Sequence, residues 1–153
     1  MHISSLLLPG GLKPAGYVFL LLGIVLAVIR FYYAIKPEFF NWQVFAFYSS
    51  YLESKWMHMI RNQMLEEIAG FLILSGSFLL AFTREKIENE HINMLRLKAF
   101  IISAYINTFM LLLAIFFIFG FGFIYFLIFN MGSGLLIYLV AFRIMLAKTN
   151  SVQ

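Results

Sequence analysis

Few side chains in this sequence could do chemistry, and most of them fall within or beside long apolar runs. Arg30 closes one run, and Glu66 and Glu67 open the next. If both runs are helices in opposite directions, these groups meet at one boundary. The spacing predicts that Arg30 pairs with Glu67, or with Glu66. Gly16, Gly23, Ala27 and Arg30 share one helical stripe, and Glu67, Gly70, Leu74, Ser77, Ala81 and Arg84 share another. Small residues on such stripes let helix backbones approach closely. The pair reads either as a gate or proton-linked site, or as a structural clasp with Arg30 reaching outward to the headgroups.

Ser103 and Asn107 fall on one stripe with Met110 and Ala114. Asn130 shares another with Gly134 and Ala141, and Ser133 lies nearby. Asn107 is 14 residues from Phe121 and Asn130 is 9, a difference of about 7.5 Å in rise. That offset predicts no direct bond between the asparagines and sets Ser133 nearer in depth to Asn107. These four residues would line a polar cavity or ion path, or make hydrogen bonds between helices worth about 0.6 kcal/mol each. Two amides and two hydroxyls without an acid at that depth make a poor ion relay.

Other chemistry has little material. There are no cysteines, which excludes disulfides, thiol catalysis and cysteine-held metals. His2, His58 and His91 lie outside the apolar runs, so no histidine pair could hold haem within a span. There is no HExxH and no phosphate-binding glycine loop. His58 with Arg61, Glu66 and Glu67 matches no catalytic spacing. No enzyme activity, metal or cofactor is expected. A net charge of +4, dispersed along the chain, gives no nucleic-acid surface.

The elements that must position these groups follow from composition. Of 153 residues 63% are hydrophobic and 12% charged, against about 45–50% and about 25% in soluble domains. A hydrocarbon core about 30 Å thick needs about 20 helical residues. Four stretches qualify, at about 15–35, 64–83, 99–119 and 123–142. Unpaired backbone groups in lipid cost several kcal/mol, so these stretches should be helices. The expectation is a single all-α membrane domain over residues 1–153, with four transmembrane helices in an antiparallel bundle. Phe119-Gly120-Phe121-Gly122 reads as a tight turn between the last two. Pro9, Gly10, Gly11 and Pro14 break the chain before the first, and the Ser4–Leu8 stretch should lie at the headgroups. The first run lacks a small-x-small cleavage site and reads as an uncleaved anchor.

With four spans, both termini and the 84–98 connection share one side. Seven of the eleven Lys and Arg residues fall there and four on the other, which predicts cytoplasmic termini. The outer segment, 38–61, holds two β-prone runs around a polar centre. It should form a small β-hairpin on the membrane surface, with an interfacial amphipathic helix as the rival. The 84–98 connection should be helical, with Arg84/Glu88 and Lys86/Glu90 as i,i+4 pairs.

That connection carries the one resemblance. Glu85-Lys86-Ile87-Glu88-Asn89-Glu90 through Leu95-Arg96-Leu97, set between two hydrophobic helices, resembles a group of small uncharacterised bacterial integral membrane proteins with four helices. The likeness covers roughly residues 65 to 145. Such proteins are often encoded beside small helix-turn-helix regulators. The resemblance implies a protein of the bacterial cytoplasmic membrane that acts as a regulator, sensor or scaffold through a cytoplasmic regulatory protein. No functional residue is carried over from that group; the charged inner connection between otherwise minimal loops itself makes Glu88, Glu90 and Arg96 the candidate contacts for a cytoplasmic partner. The alternative is a homo-oligomeric channel or transporter subunit using Asn107, Asn130 and Ser133.

Overall fold

The computed structural model describes residues 7–50, 54–85 and 89–150. A short 3-10 turn, Gly10–Leu12, leads into α1, Lys13–Phe31. A second, Glu38–Phe40, leads into β1, Asn41–Ser50, which is followed by β2, Ser54–Gln63. Three helices complete the chain: α2, Leu65–Phe82; α3, Glu90–Phe117; and α4, Phe121–Asn150. Four helices are long and apolar enough to cross a membrane. At 1.5 Å per residue, α1 and α2 are about 28 and 27 Å long, close to a hydrocarbon core of about 30 Å. The 28 residues of α3 and 30 of α4 reach about 42 and 45 Å, so each outruns the core by two turns or more.

The chain forms two compact units, Phe19–Ile73 and Met1–Val18 with Leu74–Gln153. In the first, β1 and β2 pair as a two-stranded antiparallel sheet, from Asn41 opposite Gln63 to Ser50 opposite Ser54. The β-branched and aromatic residues of both runs favour that extended form. Even-numbered positions such as Val44, Ala46, His58 and Ile60 are half-buried, whereas Phe45, Phe47, Met57 and Met59 are exposed. This period of two separates the faces. Met57 has a positive φ of 49°, which interrupts the ladder opposite Phe47. At Gly23 of α1 an added Cβ would lie 2.8 Å from the Ile73 backbone nitrogen of α2. Only glycine admits so close an approach. Leu65 and Ala69 are buried. α1 stops at Phe31, short of the expected 35, because the chain unwinds through Tyr32 and Tyr33 to Ala34 at φ 53°.

In the second unit α3 packs on α4. His91 faces Thr149, Arg96 faces Phe142 and Asn107 faces Asn130, so residue numbers rise along one helix as they fall along the other. Ile118, Phe119 and Gly120 join them, with Gly120 at φ 66°. Phe121 and Gly122, expected in the turn, already belong to α4. The core includes Leu80, Ala81, Leu95, Ala99, Leu139 and Phe142. Outside it, Phe100, Tyr105, Phe109 and Phe116 stand more than 60% exposed on α3, a surface suited to acyl chains rather than water.

The expected helical connection is only half present. α2 ends at Phe82, and α3 starts at Glu90 with Asn89 accepting from the Ile92 N–H at 2.9 Å. This is an asparagine N-cap. Arg84 lies in an extended segment, where Leu8 and Thr83 form a parallel bridge. An i,i+4 pair needs a helix through Arg84, and there is none. Lys86 and Glu88 lie outside the described residues, as do Ser4 to Leu6.

Candidate functional site

The sequence-predicted charges of the first unit do meet. The Arg30 Nε donates to Glu66 Oε1 at 2.7 Å, and its Nη2 contacts the same oxygen. Arg30 lies in the last turn of α1, whereas Glu66 and Glu67 lie in the first turn of α2. Each charge thus sits where its helix dipole favours it. Glu67 takes another partner: its Oε1 accepts from Asn62 Nδ2 at 2.6 Å. The Glu66 side chain is 44% exposed, so the ion pair is a surface contact worth at most about 1 kcal/mol. No second acid or base completes a proton relay with it among the described residues.

In the second unit the two asparagines bond directly, against expectation. Asn130 Nδ2 donates to Asn107 Oδ1 at 3.1 Å, and Ser133 Oγ donates to the same oxygen at 2.7 Å. The reason is where the helices end. Asn107 lies ten residues before Phe117, and Asn130 nine after Phe121, an offset of about 1.5 Å rather than 7.5 Å. Counting from Phe121 includes Ile118, Phe119 and Gly120, which are not helical. Gly134 lets the Asn107 side chain lie against α4, 3.7 Å from where a Cβ would be. Ser103 stays apart and donates to the Phe100 carbonyl of its own helix at 2.8 Å. Asn130 and Ser133 are buried and Asn107 half-buried. The cluster's described bonds are therefore made largely among its own members, across the α3–α4 seam.

Arg96 departs furthest from expectation. It is 7% exposed, not a surface contact for a partner. Its Nη1 donates to the Ala81 carbonyl and its Nη2 to the Thr83 carbonyl, both at 3.1 Å. Its guanidinium lies 4.9 Å from the Phe142 ring centroid. The last carbonyls of a helix have no partner within it. α2 finds them elsewhere: Arg96 takes two at this end, and Leu8 N–H takes the Phe82 carbonyl at 2.8 Å. A cation there also complements the helix dipole. Glu90 does remain exposed, in the first turn of α3.

A network not anticipated from the sequence lies at the same end. Lys13 Nζ contacts Glu85 Oε2, Arg143 Nη1 lies 3.8 Å from Glu85 Oε1, and Arg143 Nη2 donates to the Tyr17 hydroxyl at 2.6 Å. It ties the start of α1 and the segment after α2 to α4. The signal in the sequence is that Lys13, Glu85 and Arg143 all fall on the side of the termini and the 84–98 connection. Beside it, a mostly apolar groove of about 510 Å³ follows α3 from Asn93 to Asn107 and α4 from Met131 to Tyr138. Among the described residues no group of three or more His, Asp or Glu side chains could hold a metal ion.

No family model, no curated protein and no solved structure matches the chain.

Proposed function

We propose that this chain is a non-catalytic protein of a bacterial cytoplasmic membrane. Its four spans pack antiparallel as a bundle with both termini in the cytoplasm, and it regulates or scaffolds through a cytoplasmic partner. One observation carries this reading: α3 and α4 outrun a bilayer core by about 12–15 Å, and their far turns carry exposed Glu90, His91, Lys98 and Lys148. A membrane protein that only had to span would not need that charged platform. The resemblance of the 85–97 segment to small bacterial membrane proteins supports the same assignment. Capture from intact membranes tests it. The wild-type chain should recover a cytoplasmic protein, and Glu90→Lys with Lys98→Glu and Lys148→Glu should lose it. Failure of the wild-type chain to recover any partner would reject the reading.

A second reading, a channel or transporter subunit formed by homo-oligomerisation, rests on half-buried Asn107 lining the groove. Flux through protein-loaded liposomes that Asn107→Leu abolishes would favour it. A tight bilayer at high protein load would reject it.

A further inference from the structure

We propose that the groove beside α3 holds one acyl chain of an anionic glycerophospholipid, with the lipid headgroup against Asn93 and Arg96. The volume, about 510 Å³, falls within the range of about 300–1,000 Å³ common to small-molecule sites. Its length selects the occupant. From Asn93 to Asn107 the groove follows α3 for about 21 Å, whereas one leaflet of hydrocarbon is about 15 Å deep. The groove thus covers a headgroup zone and one leaflet, and it ends where Asn107 bonds to Asn130 and Ser133. A partner's transmembrane helix would have to continue across the other leaflet, where the groove offers nothing.

The two ends differ chemically as a lipid does. The lining is apolar over most of its length, with Ala104 and Leu135 leaving room between Phe100 and Met131. At the loop end stands Arg96, its planar charge held in place by two carbonyls. A fixed cation between helices at the headgroup level suits a phosphodiester. Beside it, Asn93 Oδ1 is buried with no hydrogen-bond partner among the described residues. A buried carbonyl oxygen calls for a donor. A glycerol headgroup supplies hydroxyl donors together with the phosphate, and a choline headgroup supplies none. The charge around the site agrees. On the described residues of this end, Lys13, Arg84, Arg96, Lys98, Arg143 and Lys148 outnumber Glu85 and Glu90.

The test uses the full chain in nanodiscs of equal phosphatidylglycerol and phosphatidylcholine, with bound lipid read by native mass spectrometry. Wild type should retain one phosphatidylglycerol in preference to phosphatidylcholine. Ala104→Phe puts a ring into the groove from an exposed position and should lower retention about tenfold, the size of one lost contact of about 1.4 kcal/mol. Asn93→Leu should remove the headgroup preference without filling the groove. Leu112→Phe, exposed on the same helix outside the groove, should change neither. Three results would each overturn the proposal: no preferential retention by wild type, retention untouched by both groove variants, or a loss shared by Leu112→Phe. A second copy of the chain found in the lipid's place would overturn it too. None of these readings depends on whether a cytoplasmic partner is captured.

Discussion

Replacing Arg96 separates a surface contact from a structural clasp. Arg96→Leu removes two hydrogen bonds from a charged donor to the Ala81 and Thr83 carbonyls. Bonds to charged groups contribute about 1.5–3 kcal/mol each. The loss is therefore about 3 kcal/mol at the low end, before any contribution of about 0.5–2 kcal/mol from the Phe142 ring. Leucine restores apolar contact with Phe142 but leaves both carbonyls at the end of α2 unsatisfied. Arg96→Lys keeps a charge but not the planar fork that reaches two carbonyls at once, so it should lose about half as much. The assay is reversible unfolding in mixed micelles, followed by helical circular dichroism. Hydrogen exchange should also rise at Leu8 and Arg84, whose N–H groups pair across the neighbouring bridge. A loss below about 0.5 kcal/mol for Arg96→Leu, the level of an ordinary surface substitution, would show that Arg96 does not clasp the end of α2.

Three further predictions follow from the helix contacts. Gly23→Ala should cost about 1–3 kcal/mol, since the new Cβ meets Ile73 at 2.8 Å, whereas Gly132→Ala, with nothing within 4 Å, should stabilise by up to about 1 kcal/mol; paired unfolding curves decide it. Asn107→Leu should cost about 1–2 kcal/mol, because it strips partners from both Asn130 and Ser133 and intramembrane bonds average about 0.6 and reach about 1.7 kcal/mol; Ser133→Ala should cost less in the same titration. Arg30→Glu with Glu66→Arg should recover the modest stability lost in either single change, and Arg30→Glu with Glu67→Arg should not; a double-mutant cycle measures the difference.

The sequence makes the helices legible and the ends of the helices illegible. Hydropathy alone places α2, expected at 64–83 and found at Leu65–Phe82, because lipid solvent leaves helical backbone few alternatives. It does not show that α3 begins at Glu90, because its first turns mix charges with Leu95 and Leu97 and lie beyond the apolar window. The hairpin was readable from two β-prone runs, and the same residues also permitted an interfacial helix. The asparagine contact is hidden by three residues, Ile118 to Gly120, which are apolar enough to pass for helix. The role of Arg96 is hidden for a deeper reason. An arginine among charges looks solvated, and only the place where α2 stops reveals two carbonyls that need it. Arg30 with Glu66 was within reach because both lie at helix ends, where charge preference is local. The choice of Glu66 over Glu67 turned on Asn62, which the stripes did not include.

Whether the chain crosses a bilayer four times is directly measurable, because the sequence contains no cysteine. Single cysteines placed at Glu90, Lys148, Gln43 and Gly120 in sealed vesicles should fall into two classes toward an impermeant thiol reagent. Glu90 and Lys148 should react from one side, and Gln43 and Gly120 from the other. Reaction of Gly120 from the same side as Glu90 would mean that α3 does not cross and that the chain has fewer than four spans.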